Sequence, residues 1–254
     1  MTLFKSRLLL KIIIITAFVA GAGFSSLASG AELEHNRVPL PRLKPPLISP
    51  QPPAAEISRD TAGESAGRNF FNCQAELKRR GVEFAIEKPF QNKKGCQVPD
   101  PVRVSAIASD GGMIRLPGQP VLNCGFAVRL ATWLSDVAAP VVNSHAQSPL
   151  RALITGPGYV CRIRNNKKTG KLSEHGFGNA IDISGFELAN RKKIPVSAVL
   201  GGSPRQVRLL TALRISSCGY FTTVLGPGAD EAHVSHFHLD YGKHGRSWNY
   251  RICE

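Results

Sequence analysis

The sequence predicts an α+β domain over residues 69–254, built as a small, mostly antiparallel sheet flanked by helices. Two observations support this fold class. Short segments of alternating apolar and polar residues are typical of strands, and longer segments with apolar residues at helical spacing lie between them. The two kinds of segment lack the regular strand–helix alternation of a parallel sheet, which favours an α+β arrangement. About 185 residues also suffice for one domain with its own hydrophobic core.

Capping and breaking residues delimit the predicted helices. Gly81 ends the first helix, Asn123 caps the second and Pro140 ends it, and Cys218-Gly219 closes the third. The strands are placed by short apolar runs and by alternation. The predicted elements are a helix over 71–80, a helix from 123 through 139, strands over 150–155 and 180–186, a helix from 203 or 204 to 217, and strands over 220–225 and 236–241.

The first 31 residues have the features of a secretory signal peptide. Lys5, Arg7 and Lys11 give a positively charged start, residues 8–20 are apolar apart from Lys11 and Thr16, and small residues then lead to cleavage options that end at Ala28 or Ala31. The apolar stretch is short for a membrane span, which favours cleavage, and an uncleaved N-terminal anchor is the alternative. Because no cysteine lies near the cleavage options, a lipoprotein is not indicated.

A proline-rich linker is predicted over 32–68. Seven prolines fall between Pro39 and Pro53. Proline fixes φ and lacks an amide hydrogen, so we expect an extended spacer without a core. A disordered tail is favoured over a recognition motif for this composition.

All six cysteines lie in the predicted domain. An even number of cysteines behind a signal peptide indicates three disulfides and an oxidising compartment, here the periplasm or cell envelope. A cysteine zinc site is the competing interpretation, but the sequence contains no C-x-x-C. We expect sequential pairing among the several pairings that are possible. The expected disulfides are Cys73–Cys96, Cys124–Cys161 and Cys218–Cys253.

Positive charge dominates the predicted domain. The whole chain has a formal charge of +14, and residues 69–254 contain 24 basic and 13 acidic side chains. Such a surface attracts anionic partners, which in a cell envelope are peptidoglycan carboxylates, lipid headgroups or lipopolysaccharide. Nucleic acid is not predicted as a partner, since no basic motif with interleaved aromatic residues occurs.

Two segments near the C-terminal end contain histidine and aspartate at spacings typical of a metal site. His175 and Asp182 lie seven positions apart, and His236-Phe-His238-Leu-Asp240 places imidazoles on alternate residues, which share one face of a strand. Two imidazoles and one carboxylate form a three-ligand zinc site whose fourth position stays open for water, as in catalytic sites. Nitrogen ligands favour zinc over calcium or magnesium. A surface position for His175 and an arginine salt bridge for Asp182 are the alternatives.

The first segment resembles the signature of the zinc D-Ala-D-Ala peptidases, Ser173-x-His175-x-x-Gly178-x-Ala180-x-Asp182. The His-x-His pair is closer to the version in lysostaphin-like and penicillin-insensitive murein endopeptidases. The wider stretch, over residues 69–254, is similar to the bacterial extensin-like protein C-terminal family. Four motifs carry this similarity. In chain order they are Cys161-Arg162, the segment from Ser173 to Asp182, Val224-Leu225-Gly226-Pro227-Gly228, and His236-Phe-His238-Leu-Asp240. The resemblance implies a fold of the hedgehog/D-Ala-D-Ala-peptidase type.

The resemblance also implies a role for each residue of the metal site. The implied Zn²⁺ ligands are His175, Asp182 and His238. His236 is the implied catalytic imidazole. Many D-Ala-D-Ala peptidases have a catalytic glutamate three residues before the last ligand, where this chain has Ser235. Glu231 and His233 are therefore alternatives for the acid/base role, although both are otherwise expected to be exposed loop residues.

Three further residues are candidates for substrate binding or for support of the metal site. Ser173 matches the family serine that contacts the substrate backbone, and Arg162 lies where the peptidases often have a substrate-binding arginine, with Arg164 as the second choice. A basic loop in solvent is the alternative for both arginines. Asp240 is expected either to orient a ligand imidazole or to be a strand-end carboxylate in solvent.

These observations predict a periplasmic zinc metallopeptidase that acts on peptidoglycan stem peptides in cell-wall remodelling. It would be a D,D-endopeptidase or a carboxypeptidase, and the His-x-His pair together with Ser235 favours the endopeptidase. The first alternative is a non-catalytic module that binds or structures the cell wall, and a secreted metal-dependent nuclease is a more distant one. Peptidoglycan is the expected partner, membrane contact is expected only if the N-terminal segment stays uncleaved, and the oligomeric state is left open.

Overall fold

The described residues, 72–244 and 250–254 of a computed structural model, form an α+β fold around a mixed, mostly antiparallel sheet. This result confirms the predicted fold class. The sheet is larger than the small sheet predicted, because it has ten strands within the described ranges. The predicted signal peptide (1–31) and linker (32–68) lie outside the described residues. All described residues belong to one compact unit, Glu56–Glu254.

The described part of the chain contains four α-helices and twelve strands. The helices are α1 (72–79), α2 (Cys124–Trp133), α3 (Ala139–Ala146) and α4 (Pro204–Ser217). The strands are β1 (Val82–Ile86), β2 (Phe90–Gln91), β3 (Gln97–Val98), β4 (Pro101–Ser109), β5 (Gly112–Arg115), β6 (Val121–Asn123), β7 (Leu150–Thr155), β8 (Ala180–Leu188), β9 (Lys193–Pro195), β10 (Thr223–Leu225), β11 (Phe237–Asp240) and β12 (Ile252–Cys253).

The order of the large sheet places β8 next to β11. Its strands follow the order β1-β4-β5-β7-β8-β11-β10-β12, while β6 pairs with β4 and β9 with β8. The pairs β5–β7 and β10–β12 are parallel. In the antiparallel β8–β11 pair, His238 lies opposite Asp182 and Leu239 opposite Ile181. Since side chains alternate along a strand, Ile181 and Leu239 enter the core while Asp182 and His238 share the other face.

The helix that begins after Asn123 does not end at Pro140 as predicted. The side chain of Asn123 caps α2 as expected. A π-helical turn, Leu134–Ala138, then joins α2 to α3, and the amide of Ala139 donates to the carbonyl of Leu134. Pro140 therefore lies in the first turn of α3, directly after the π-helical turn, a position that proline tolerates.

The continuous helix Cys124–Ala146 is long and apolar enough to span a membrane. Half of its most apolar stretch is buried inside this domain, however, and the core helix of a globular domain has the same length and composition. Its aromatic side chains belong to the core: Trp133 lies edge-on to Phe221, with ring centroids 5.9 Å apart. Burial of large aromatic side chains is a main source of stability for such a core. The helix thus has a packing role in the fold.

α4 begins where its capping residues predict. The hydroxyl of Ser203 accepts from the amide of Gln206, and the Gln206 side chain accepts from the amide of Ser203, which forms a capping box. The inward side of the helix carries the buried residues Leu209, Leu210 and Leu213. The opposite side stays exposed, so α4 is amphipathic.

Three disulfides form within the described ranges, and they use all six cysteines. Sequential pairing is confirmed for Cys218–Cys253 and wrong for the other two pairs. The other disulfides are Cys73–Cys124 and Cys96–Cys161, with Cα–Cα distances of 6.1 and 5.8 Å. Tertiary packing determines these two pairs. Cys73–Cys124 joins α1 to α2, and Cys96–Cys161 joins the turn after β2 to the loop before residue 173. Three disulfides are compatible with an oxidising location outside the cytoplasm.

Peptide mapping of the unreduced protein should recover these three pairs, and thiol titration after denaturation should detect no free thiol. Loss of one disulfide should lower the free energy of unfolding by ~2–5 kcal/mol. Cys96→Ser/Cys161→Ser and Cys73→Ser/Cys124→Ser are a matched pair of variants for thermal unfolding. Four or more reactive thiols in the unmodified protein would contradict both the pairing and the oxidising location.

Candidate metal centre

His175 lies in a buried 3-10 turn before β8. The turn Glu174–Phe177 ends at Gly178, whose φ of 65° is a left-handed conformation that glycine adopts without strain. A Cβ at Gly178 would lie 2.6 Å from the amide nitrogen of Asn123, and that amide donates to the Gly178 carbonyl. The turn therefore docks closely against the start of α2. This packing fixes the position of His175, which is 1% exposed.

A backbone carbonyl selects the tautomer of His175. Its Nδ1 lies 2.7 Å from the carbonyl oxygen of Gly158, which can only accept a hydrogen bond, so Nδ1 carries the proton. The lone pair of the neutral ring is then on Nε2, which faces Asp182 and His238. A side chain at Gly158 would collide with the carbonyl of Val121, so the glycine is needed for this close approach.

Three potential ligand atoms converge on one point between β8, β11 and the 3-10 turn. Nε2 of His175 lies 3.3 Å from Oδ1 of Asp182 and 3.3 Å from Nδ1 of His238, and the last two atoms are 2.9 Å apart. Tetrahedral coordination with bonds of ~2.0–2.1 Å separates ligand atoms by about 3.3 Å. The spacing and the two-nitrogen, one-oxygen donor set thus fit a transition-metal ion. Within the described residues, these three side chains form the group with metal-ligand spacing.

Asp240 holds the ring of His238 from the opposite side. Its Oδ2 lies 3.0 Å from Nε2 of His238, and its Oδ1 accepts from the amide of Gly242. Since Asp240 is 5% exposed, the alternative of a strand-end carboxylate in solvent is wrong. With Nε2–H donating to Asp240, the lone pair of neutral His238 lies on Nδ1, toward Asp182.

The buried charges of the site balance around His238. Burial would lower the pKa of His238, but hydrogen bonds to Asp182 and Asp240 raise it to about 9. Burial would raise the pKa of Asp182, but the adjacent His175 ring and the hydrogen bond from the protonated His238 hold it well below its usual range. Without a metal, His238 is thus a cation between two carboxylates, and a bound metal ion would replace its Nδ1 proton.

His236 lies beside these ligand atoms and is partly accessible. Its Nε2 is 3.6 Å from Oδ1 of Asp182, and its side chain is 21% exposed. Burial lowers the pKa of His236, against the opposing attraction of Asp182. His236 is therefore mainly a neutral imidazole near pH 7 and can accept a proton. It precedes β11, which begins at Phe237.

His233 is buried, so the exposed loop role expected for it is wrong. Its Nδ1 lies 2.6 Å from Oδ1 of Asp230, and its ring centroid lies 5.3 Å from that of His236 and 5.6 Å from that of His238. Asp230 also accepts from the amides of the 3-10 turn Glu231–His233. The helical spacing His233-x-x-His236 and a capping aspartate before it are the sequence signals that identify this residue. Glu231 is exposed, as expected.

A cavity of about 310 Å³ adjoins the metal centre and contains the candidate substrate-binding residues. Nη2 of Arg162 lies 3.9 Å from Oδ2 of Asp182, so this ion pair is longer than the 2.9 Å contact between Asp182 and His238. Arg164 lies 3.5 Å from the carboxylate of Glu174. Ser173 is 4% exposed, and its amide donates to the carbonyl of Arg162. The structure therefore brings Arg162 and Ser173 together at the site.

The cavity also contains two residues that the sequence patterns did not single out. Burial, and then the nearby Asp240 carboxylate, raise the pKa of Glu174. Nε2 of His244 lies 2.7 Å from the hydroxyl of Thr223 and 4.0 Å from Asp240. Neither residue has a spacing pattern of its own, so only the tertiary structure identifies them.

The fold and the site define a class of protein: an α+β domain with a buried histidine–aspartate cluster suited to a metal ion. The chain belongs to the extensin-like protein C-terminal family, because the family model described as "Extensin-like protein C-terminus" matches residues 71–254. No curated protein and no solved structure matches the chain. The relation to the zinc D-Ala-D-Ala peptidases stays a prediction.

Proposed function

We propose that this chain is a zinc-dependent peptidase that acts on peptidoglycan stem peptides in the cell envelope, with a fold of the hedgehog/D-Ala-D-Ala-peptidase type. The observation that supports this function best is the convergence of Nε2 of His175, Oδ1 of Asp182 and Nδ1 of His238. Each of the two imidazoles has a partner that leaves its lone pair free to bind the ion. A module that only binds the cell wall does not need such a site.

The residues around the three ligands are suited to proton transfer. A bound zinc ion would lower the pKa of a coordinated water to ~7 and polarise a substrate carbonyl. His236 accepts a proton at Nε2 and returns it to the leaving amine, since burial keeps the ring mainly neutral. Asp230 accepts from Nδ1 of His233, so Nε2 of His233 points away from this carboxylate.

The adjoining cavity and the charge of the domain suit an anionic peptide substrate. Ser173 and Arg162 lie at the cavity beside Asp182, so they are placed to bind the substrate backbone and a carboxylate. The 24 basic side chains of residues 69–254 attract the carboxylates of peptidoglycan. Location in the periplasm follows from the predicted signal peptide and agrees with the three disulfides.

Digestion of purified sacculi tests the proposed function against the wall-binding alternative. The protein, incubated with sacculi, should release new muropeptides detected by chromatography and mass spectrometry, and a chelator should stop the release. Asp182→Asn is the matched inactive control, because it keeps the shape of the side chain and removes its charge. Binding to sacculi without any new muropeptide would support the non-catalytic module, and plasmid degradation would support a nuclease.

Zinc affinity should increase with pH up to about 9. Hydrogen bonds to Asp182 and Asp240 raise the pKa of His238 to about 9 in the metal-free protein, so zinc must displace a proton at any lower pH. Below the pKa of His238, affinity should fall about tenfold per pH unit. Above the pKa no proton competes, and the affinity should level off. Competition titrations with a zinc chelator of known affinity measure this dependence.

Asp240→Asn provides the control for this pH dependence. The substitution removes one of the two carboxylates that raise the pKa of His238, so the affinity should level off at a lower pH. The same affinity at pH 7 and pH 9 in the unmodified protein would contradict the role of His238 as a ligand.

Arg162→Ala should affect two classes of substrate differently. If Arg162 binds a free terminal carboxylate, kcat/KM for pentapeptide monomers should fall about tenfold or more, because a bidentate arginine–carboxylate pair is a strong interaction. Cleavage of cross-linked dimers should change little, since they carry an amide at that position. Arg164→Ala tests the second-choice arginine, which pairs with Glu174. Release of free D-Ala from monomers, with dimers left intact, would contradict the endopeptidase preference.

A further inference from the structure

The segment Leu188–Ala229, which includes β9 and α4, is basic and contains no acidic residue. It has six lysines and arginines and no aspartate or glutamate, whereas the rest of residues 69–254 has 18 basic and 13 acidic side chains. More than half of the domain's excess positive charge therefore comes from this one segment. Such an uneven distribution produces a local positive field.

Five of these six basic residues are exposed, and three of them, Lys192, Lys193 and Arg205, line the same cavity. Arg191, Lys192 and Lys193 lie on the turn between β8 and β9 and at the start of β9, and Arg205 and Arg208 lie on α4. Within the described residues, Lys193 has one carboxylate 3.9 Å away, on Glu187, and the other four have no ion-pair partner. Their charge is therefore available to a partner.

Two exposed apolar side chains flank these cations. Leu200 lies just before α4 and Ile215 in its last turn, and each is 64% exposed. Arg208 and Ile215 are seven residues apart, so they lie on the same outward side of the helix, opposite the buried Leu209 and Leu213. An exposed leucine or isoleucine is unremarkable alone. Here the two occur at opposite ends of a basic helix about 21 Å long.

A cavity of about 380 Å³ opens beside the helix. Lys192, Lys193, Arg205 and His145 contribute to its lining, together with apolar side chains such as Ile194. A cavity lined by both basic and apolar side chains suits a ligand in which a small anionic group is attached to an apolar chain. The headgroup region of a phospholipid has this chemistry.

We propose that the outward surface of α4 and the neighbouring β9 turn binds the surface of an anionic phospholipid bilayer. This α4 surface consists of Arg191, Lys192, Lys193, Leu200, Arg205, Arg208 and Ile215. The cations contact phosphate groups, and Leu200 and Ile215 enter the boundary between headgroups and acyl chains, as apolar residues of interfacial helices do. The exposed apolar pair favours a bilayer over a soluble polyanion, which would need only the cations. This binding is independent of the metal centre and of the N-terminal segment.

Vesicle flotation of the secreted protein, with its N-terminus established by mass spectrometry, tests the electrostatic part. Binding should be strong on vesicles rich in phosphatidylglycerol, weak on phosphatidylcholine vesicles, and reduced by high salt. One basic residue near an anionic surface changes binding about fivefold, so Arg205→Glu/Arg208→Glu should weaken it well over tenfold. Lys93→Glu/Lys94→Glu has the same charge change at exposed positions elsewhere and should have a much smaller effect. Equal binding by both double variants would overturn the proposal.

Leu200→Ser/Ile215→Ser tests the apolar part and keeps every charge. This variant should bind phosphatidylglycerol vesicles several-fold more weakly and should bind heparin, a soluble polyanion, as the unmodified protein does. Unchanged vesicle binding would show a polyanion site and overturn the bilayer proposal. Thermal unfolding checks the fold of each variant. Cleavage of soluble muropeptides should be unchanged in all of them, so failure here is distinguishable from failure of the proposed peptidase function.

Discussion

Replacing His238 by alanine should weaken zinc binding by more than about a hundredfold and abolish peptidoglycan hydrolysis. The substitution removes Nδ1, one of three converging ligand atoms. Loss of a group that only orients a ligand typically lowers metal affinity ~10–100-fold, so loss of a ligand itself should cost more. His175→Ala should have the same effect for the same reason. Competition with a chelator measures the affinity, and sacculus digestion measures the activity.

His145→Ala is the matched control for these variants. His145 lies on α3, where its Nδ1 is 3.0 Å from the carbonyl of Val141, and it has no contact with the metal centre. This variant should keep both zinc and activity. Because His238 also lies between the carboxylates of Asp182 and the buried Asp240, thermal unfolding of His238→Ala should be recorded with the titration. A folded His238→Ala protein that binds zinc with unchanged affinity would contradict the ligand assignment.

Replacing His236 by alanine should leave zinc bound and remove most of the activity. His236 lies 3.6 Å from Asp182 and is not one of the three converging side chains. As a proton-transfer group it should contribute ~10²–10⁴-fold to the rate, so kcat should fall by that factor while zinc affinity changes little. Steady-state kinetics on a cross-linked muropeptide and a zinc titration of the same sample measure the two effects.

His233→Ala distinguishes the role of His233 from that of His236, the two histidines next to the ligands. If His236 is the proton-transfer group, the loss of activity in His233→Ala should be smaller than in His236→Ala. The pH–rate profile of His236→Ala should also lose the limb caused by the low pKa of His236. Loss of zinc in His236→Ala, with zinc retained in His238→Ala, would reverse the roles assigned to the two histidines.

The sequence was sufficient to predict those parts of the fold that depend on neighbouring residues. The strand over 150–155 agrees with β7, and Ser203 begins α4 through a local capping box. Alternation placed Asp182 and His238 on the polar side of their strands, and the β8–β11 register then puts them opposite each other. These features follow from the alternation of side chains along a strand and from single capping residues, and both can be read directly from the sequence.

The remaining features depend on contacts between distant segments. Two of the three disulfide pairs were wrong, because pairing reflects which loops pack together. Pro140 was expected to end a helix, but a π-helical turn before it gives proline a first-turn position. The carbonyl of Gly158, which sets the tautomer of His175, has no sequence signal, since every residue has a carbonyl.

The zinc content of the protein, purified without chelator, tests the central claim most directly. Inductively coupled plasma mass spectrometry of the unmodified protein should find about one zinc per chain, as expected for a three-ligand site. The same measurement on His175→Ala should find almost none. A protein that contains no zinc, and takes up none when the metal is supplied at neutral pH, would contradict the claim.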